Sequence, residues 1–120
     1  MAKFFKDEFA CKHCGKNLTH EDFLAKLNKL GEKLPFPVTV SSGYRCPEHN
    51  QKVSTTGPKG PHTTGRAVDL AVRGEQAYTV LAEAFASGAF TGIGVNQKGL
   101  ARFIHLDDIL ADGRPTVWSY

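Results

Sequence analysis

A chain of 120 residues is long enough for one domain that buries roughly two-thirds of its surface, so it needs neither metal nor disulfide merely to fold. With 41% hydrophobic and 22% charged residues it has an ordinary globular composition, and no apolar run approaches the roughly 20 residues of a membrane span. The net charge of +3 is spread without a block of Lys or Arg, which argues against a nucleic-acid arm. One domain over residues 1–120, monomeric, is expected. Charges interrupt the opening "MAKFFKDEFACKHCGKN" before a signal-peptide apolar core develops, so synthesis in a cytoplasm without a signal peptide is expected.

Three cysteines without a secretion signal point to thiols or metal ligands rather than a disulfide framework. Cys11 and Cys14 form a CxxC, and Cys46 with His49 in "CPEHN" forms a CxxH. Three sulfurs and one nitrogen are the ligand set of a closed structural zinc site, if the fold joins the two pairs. Otherwise they are reduced thiols, with His49 capping or packing locally.

Thr19, followed by Asp22 three residues on, and Phe23, Leu27, Leu30 and Leu34 at helical spacing predict a helix over 20–33. "VTVSSGY" reads as a strand running into a loop, and "RAVDLAV" as a second strand. "GEQAYTVLAEAFASG" reads as a helix with Ala77, Tyr78, Leu81 and Phe85 on one face and Gly88 as its stop. "TGIGVN" and "ARFIHLDDIL" are short strands around the turn "NQKG". This irregular alternation predicts an α+β fold, a small mixed or antiparallel sheet with flanking helices.

Asp69 lies within an apolar strand, and a buried carboxylate needs a partner. Strand alternation sets it beside Ala67 and Ala71, with Val68, Leu70 and Val72 on the other face. The Gly60, Pro61 and Gly65 punctuation makes a turn able to fold His62 back over that strand. In "FIHLD", His105 shares a face with Phe103 and Asp107, opposite Ile104 and Leu106. His62, Asp69 and His105 together form a set that suits zinc and leaves a fourth position for water. Taken singly, each is as readily a surface or capping residue.

The ordered runs "SSGYRCPEHN", "HTTGRAVD" and "FIHLDD" resemble the zinc D-alanyl-D-alanine carboxypeptidase family. That family includes D-Ala-D-Ala dipeptidases, phage endolysin peptidases and murein endopeptidases, and shares its fold with the hedgehog signalling domain. The resemblance covers roughly residues 36 to 108, and "GRPTVWSY" is similar to the tail of short phage-type members. It implies a Zn2+ cofactor held by His62, Asp69 and His105, and a substrate peptide held or polarised by Arg45, with Tyr44 beside it. The implied partner is the peptidoglycan stem peptide, met at the bacterial cell wall by an endolysin or virion component.

Two positions depart from the family pattern. Gly60 stands where serine often precedes the first histidine, leaving a hydrogen bond to be supplied by Thr63 or Thr64. Arg102 stands where ExxH members carry their general base, so Asp107 is the expected base or the group orienting His105, with Glu48 next in line. Zinc lowers the pKa of bound water towards about 7. Arg45 offers a planar fork suited to a carboxylate or oxyanion, unless it pairs with Glu48. The expected function is hydrolysis of a peptidoglycan bond involving a D-amino acid. The alternatives are an inactive zinc-bearing module of a phage particle and a cytoplasmic D-Ala-D-Ala dipeptidase.

Overall fold

A computed structural model describes residues 1–120. The first helix, α1 (Glu21–Gly31), buries Phe23, Leu27 and Leu30, one stripe at helical spacing, and places Glu21 and Asp22 in its first turn where the helix dipole favours them. It starts one residue later than a Thr19 cap requires. His20 occupies the N-cap without a side-chain bond, and the buried Thr19 hydroxyl has no partner. The entry is held instead by the His20 amide donating to the Gly65 carbonyl at 2.9 Å.

Strand β1 (Thr39–Ser42) is followed by α2 (Pro47–Val53), β2 (Ala67–Ala71), α3 (Gly74–Ser87), β3 (Gly92–Asn96), β4 (Phe103–Asp107) and β5 (Thr116–Ser119). The sheet order is β1-β2-β4-β3-β5, antiparallel except where β5 runs parallel to β3, so the fold is α+β with a mixed sheet. Two elements carry no sequence periodicity. Helix α2 starts with Pro47 at its first turn and buries only Asn50, so no apolar stripe announces it. Strand β5 is largely exposed and has no clear alternation.

The expected alternation holds. Val68, Leu70, Ile104 and Leu106 are fully buried in the core beneath α1 and α3, while Asp69, His105 and Asp107 face the other way. Helix α3 is rotated from the expected face: Ala77, Val80 and Ala84 are buried, while Tyr78 is 77% and Phe85 59% exposed. Small side chains let the helix lie close to a core already filled by Phe23 and Phe90, which pack edge-on with centroids 6.3 Å apart. Gly88 ends α3 in the left-handed conformation (φ 63°), as expected.

Arg66, just before β2, fastens α1 to the sheet. It donates to Asp22 at 2.6 and 3.1 Å and to Asp108 at 2.8 Å, and Lys26 reaches Asp108 at 2.8 Å. The Asp108 side chain is therefore buried in this network. The Arg66 hydrogen bonds lower the Asp22 carboxyl from 3.8 to about 2. A carboxyl lowered on folding stabilises the native state above its unfolded value and loses that contribution as pH falls through the folded one. Replacing Asp22 by Asn should therefore flatten the acid-induced loss of stability between pH 3.8 and about 2, read by chemical denaturation at several pH values. Because Asp22 is exposed, the change is small.

Candidate metal centre

The register of β2 and β4 sets Asp69 directly opposite His105, and Ala67 opposite Asp107. His62 comes from the tight turn Pro61–Thr64, which Gly65 reverses with φ 76°. Asp69 Oδ1 lies 3.2 Å from His62 Nε2 and 3.1 Å from His105 Nδ1, and the ligand atoms of all three residues fall within 4.8 Å of one another. All three are buried.

Each imidazole is fixed from behind. His62 Nδ1 is 2.7 Å from the Gly43 carbonyl, which only accepts, so this nitrogen carries the proton and Nε2 presents its lone pair. His105 Nε2 is 2.7 Å from Asp107 Oδ2 and donates to it, which frees Nδ1 for the centre. Burial pushes the Asp69 carboxyl up, but the imidazoles of His105 and His62 beside it outweigh burial and hold it well below the usual carboxylate range. Burial likewise lowers His105, while Asp107 and Asp69 together raise it above the ordinary imidazole value, so a metal ion would take the place of the proton between Nδ1 and Asp69. The centre thus presents two oriented nitrogens and one ionised oxygen, with buried carboxylate charge around them.

Asp107 is fully buried. Its Oδ1 takes the guanidinium of Arg114 at 3.2 Å and accepts the Ile109 amide at 3.3 Å. Two glycines of β3 make room for β5 to close over the centre. Gly92 faces Asp107, and a Cβ there would collide with the Arg114 guanidinium; Gly94 faces His105, and a Cβ there would enter the Trp118 indole. Trp118 packs on His105 with centroids 5.1 Å apart, and Arg114 lies over the Trp118 ring at 5.2 Å.

Arg45 does not pair with Glu48. Its Nε donates to Ser42 Oγ at 3.0 Å, Nη1 to Asn50 Oδ1 at 3.1 Å, and Nη2 approaches Asp69 Oδ2 at 3.5 Å. Asn50, fully buried on α2, also donates to the Thr56 hydroxyl at 2.8 Å and to the Gly57 carbonyl, tying the Arg45 support to the loop. Tyr44 does not line the cleft: it is buried against Cys11 and Cys46. No side chain fits at position 60, where a Cβ would strike Thr56 and Asn50. Thr63 and Thr64 bond the carbonyls of Gly60 and Pro61 at 2.6 Å within their own turn, so they do not supply the bond a serine would have made.

A cleft of about 930 Å³ opens over the three ligand groups, walled by Arg45, Thr56, Asp112, Arg114, Trp118 and Tyr120. Neither Asp107 nor Glu48 lines it; its acids are Asp69 and Asp112, the latter exposed at the rim and in no ion pair.

The second group of sequence candidates lies apart. Cys11, Cys14 and Cys46 bring their sulfurs within 4.8 Å of one another, and neither His13 nor His49 joins that group. His13 Nδ1 is 3.4 Å from Cys46 Sγ, and its ring stacks on that of His49 with centroids 5.5 Å apart. Burial raises the Cys11 thiol, but backbone amides, that of Cys46 foremost, bring it down to about 7. His13, Asn50, Arg114 and Trp118 escape sequence reasoning. His13 sits inside "CKHC", while Asn50 ends "SSGYRCPEHN" and Arg114 and Trp118 lie in "GRPTVWSY", runs whose likeness to the family assigned these residues no role.

A family model described as Peptidase M15 matches residues 2–107, a span that holds His62, Asp69, His105 and Asp107 and stops short of Arg114 and Trp118. No curated protein and no solved structure matches the chain.

Proposed function

The chain belongs to the peptidase M15 family, and from that premise we propose that it is a zinc peptidase of bacterial peptidoglycan, hydrolysing a bond that involves a D-amino acid. The observation that carries the reading is the convergence of His62 Nε2, Asp69 Oδ1 and His105 Nδ1, each imidazole held in the ligating tautomer by a partner behind it. Two nitrogens and one oxygen suit zinc and leave a position open. These three residues would hold the ion; the chemistry it supplies when bound is activation of water and polarisation of a carbonyl.

The rest of the reaction falls to the chain's own groups. Arg45, pre-oriented by Ser42 and Asn50, receives a substrate carboxylate or the developing oxyanion. Asp107 acts through His105 and is a positioning residue, because its oxygens are engaged by His105, Arg114 and a backbone amide and it does not face the cleft. We assign the proton transfer from attacking water to leaving amine to Asp112, the acid on the cleft rim that no cation holds. Trp118 covers His105 and gives the cleft an apolar wall. A cleft of about 930 Å³ with exposed rim residues suits a branched stem peptide better than a free dipeptide.

Purified peptidoglycan incubated with the zinc-loaded protein should release fragments, identified by mass spectrometry, whose new termini lie beside a D-residue, and a chelator should stop their release. Cleavage of free D-Ala-D-Ala with intact wall material untouched would favour the dipeptidase instead. Binding to wall material without hydrolysis would favour an inactive module.

A further inference from the structure

We infer that Cys11, Cys14 and Cys46, with His13 as the fourth ligand, form a second metal site, for a structural zinc ion that clamps the N-terminal segment to the loop carrying Arg45. It goes beyond the peptidase reading and does not depend on it. The three sulfurs lie within 4.8 Å of one another although Cys46 is 35 positions from Cys11, and none is in a disulfide. Tetrahedral zinc with Zn–S near 2.3 Å and Zn–N near 2.0–2.1 Å sets neighbouring sulfurs about 3.8 Å apart and a sulfur and nitrogen about 3.6 Å apart. His13 Nδ1 and Cys46 Sγ are 3.4 Å apart, close to that edge length, and the ring would turn towards Cys11 and Cys14 to complete the set, since it does not lie within 4.8 Å of all three sulfurs. The Cys46 amide donates to Cys11 Sγ at 3.3 Å, the kind of outer bond that steadies a ligating thiolate.

His49, at the spacing expected of a CxxH ligand, stacks on His13 instead and backs that ring. Cys11, Tyr44 and Cys46 form a small cluster of their own, separate from the 18-residue core, and beyond it the Tyr44 amide donates to the Phe9 carbonyl at 2.7 Å. Phe4 and Phe9 seat the start of the chain in the main core, and an ion here would extend that anchorage to the loop whose next residue, Arg45, approaches Asp69. Soft thiolates with one imidazole select zinc over harder cations, and ligand bonds there contribute directly to folding free energy.

Cobalt separates this site from the His62, Asp69, His105 centre, which contains no sulfur. The full chain, reduced and stripped of metal, is titrated with Co2+ and its near-ultraviolet absorption recorded. A thiolate-to-cobalt charge-transfer band with a tetrahedral visible spectrum is expected. The band should persist in His62→Ala and vanish in Cys14→Ser, whose altered residue is exposed and compatible with folding. As purified, the wild type should hold about two zinc ions and Cys14→Ser about one. His13→Ala should shift the visible bands away from the wild-type pattern while His49→Ala leaves them in place. Absence of the band in the wild type, or its survival in Cys14→Ser, overturns the site, whatever the peptidase assay shows. Loss of the pattern in His49→Ala and not in His13→Ala overturns the assignment of His13.

Discussion

His62→Ala is expected to abolish peptide hydrolysis, by about 1,000-fold or more, while the protein stays folded. The imidazole would supply one of three ligand atoms for the proposed zinc, and Lewis-acid activation contributes several kcal/mol of transition-state stabilisation, each 1.36 kcal/mol being tenfold in rate. The substitution also leaves the Gly43 carbonyl without its donor and Asp69 with His105 and Arg45 as its remaining partners. An unpaired buried acceptor costs about 1–3 kcal/mol, which a domain of this size tolerates. Metal analysis should show loss of one zinc ion per chain, and a chelator should bring the wild type to the same residual rate. Added zinc should rescue the chelated wild type and not the variant. Full zinc content at this centre with undiminished turnover in His62→Ala would remove the ligand assignment.

Asp107→Asn and Asp112→Asn are expected to fail in different ways, and the contrast distinguishes the group that orients a ligand from the group that moves a proton. Asparagine at 107 keeps an oxygen for His105 Nε2 but removes the charge that faces Arg114 at 3.2 Å. Losing an outer-shell partner of a metal-bound histidine costs about 10–100-fold in metal affinity or activity. Breaking a buried ion pair costs up to about 3–5 kcal/mol of stability, here towards the lower end because the Arg114 side chain is 15% exposed. A lowered melting temperature, weakened zinc binding and a reduced rate should therefore appear together. Asp112→Asn, at an exposed position, should leave zinc content and melting temperature unchanged. Its kcat should fall by about 100-fold or more and the acidic limb of its pH–rate profile should disappear. Wild-type kinetics in Asp112→Asn would return the proton transfer to another group, and wild-type zinc affinity and stability in Asp107→Asn would remove its positioning role.

The sequence reading of Asp107 left two roles open, base or orienting group, and the difference between them is not a local property. Alternation in "FIHLD" says that Asp107 shares a face with His105. It does not say that Gly92 and Gly94 of β3 make that face shallow enough for Arg114 and Trp118 to fold over it. Arg114 comes just before β5, which pairs in parallel with β3, a contact that no spacing within "GRPTVWSY" announces. Tyr44 shows the same gap in the other direction. Next to Arg45 in sequence, it was expected beside the substrate, yet neighbours along an extended chain point to opposite sides, and Tyr44 is buried with the cysteines.

By itself the sequence determined the elements whose physics is periodic and short in range. The α1 stripe, the core faces of β2 and β4 and the glycine stop of α3 follow from spacings of 3.6 and 2.0 residues, and each is found where expected. It also carried the three ligand types in order along the chain, since a buried Asp69 and the turn at Gly60–Gly65 can be read locally. Only the tertiary structure decided which atoms meet. The β2–β4 register put Asp69 opposite His105, the Gly43 carbonyl chose the tautomer of His62, and packing rotated α3 to bury alanines in place of Tyr78 and Phe85. Tertiary packing also set His13 against Cys46 and left His49 stacked behind it. Register, tautomer and ring stacking depend on groups tens of residues apart being brought within a few ångströms, and one chain's local periodicity contains no information about that distance.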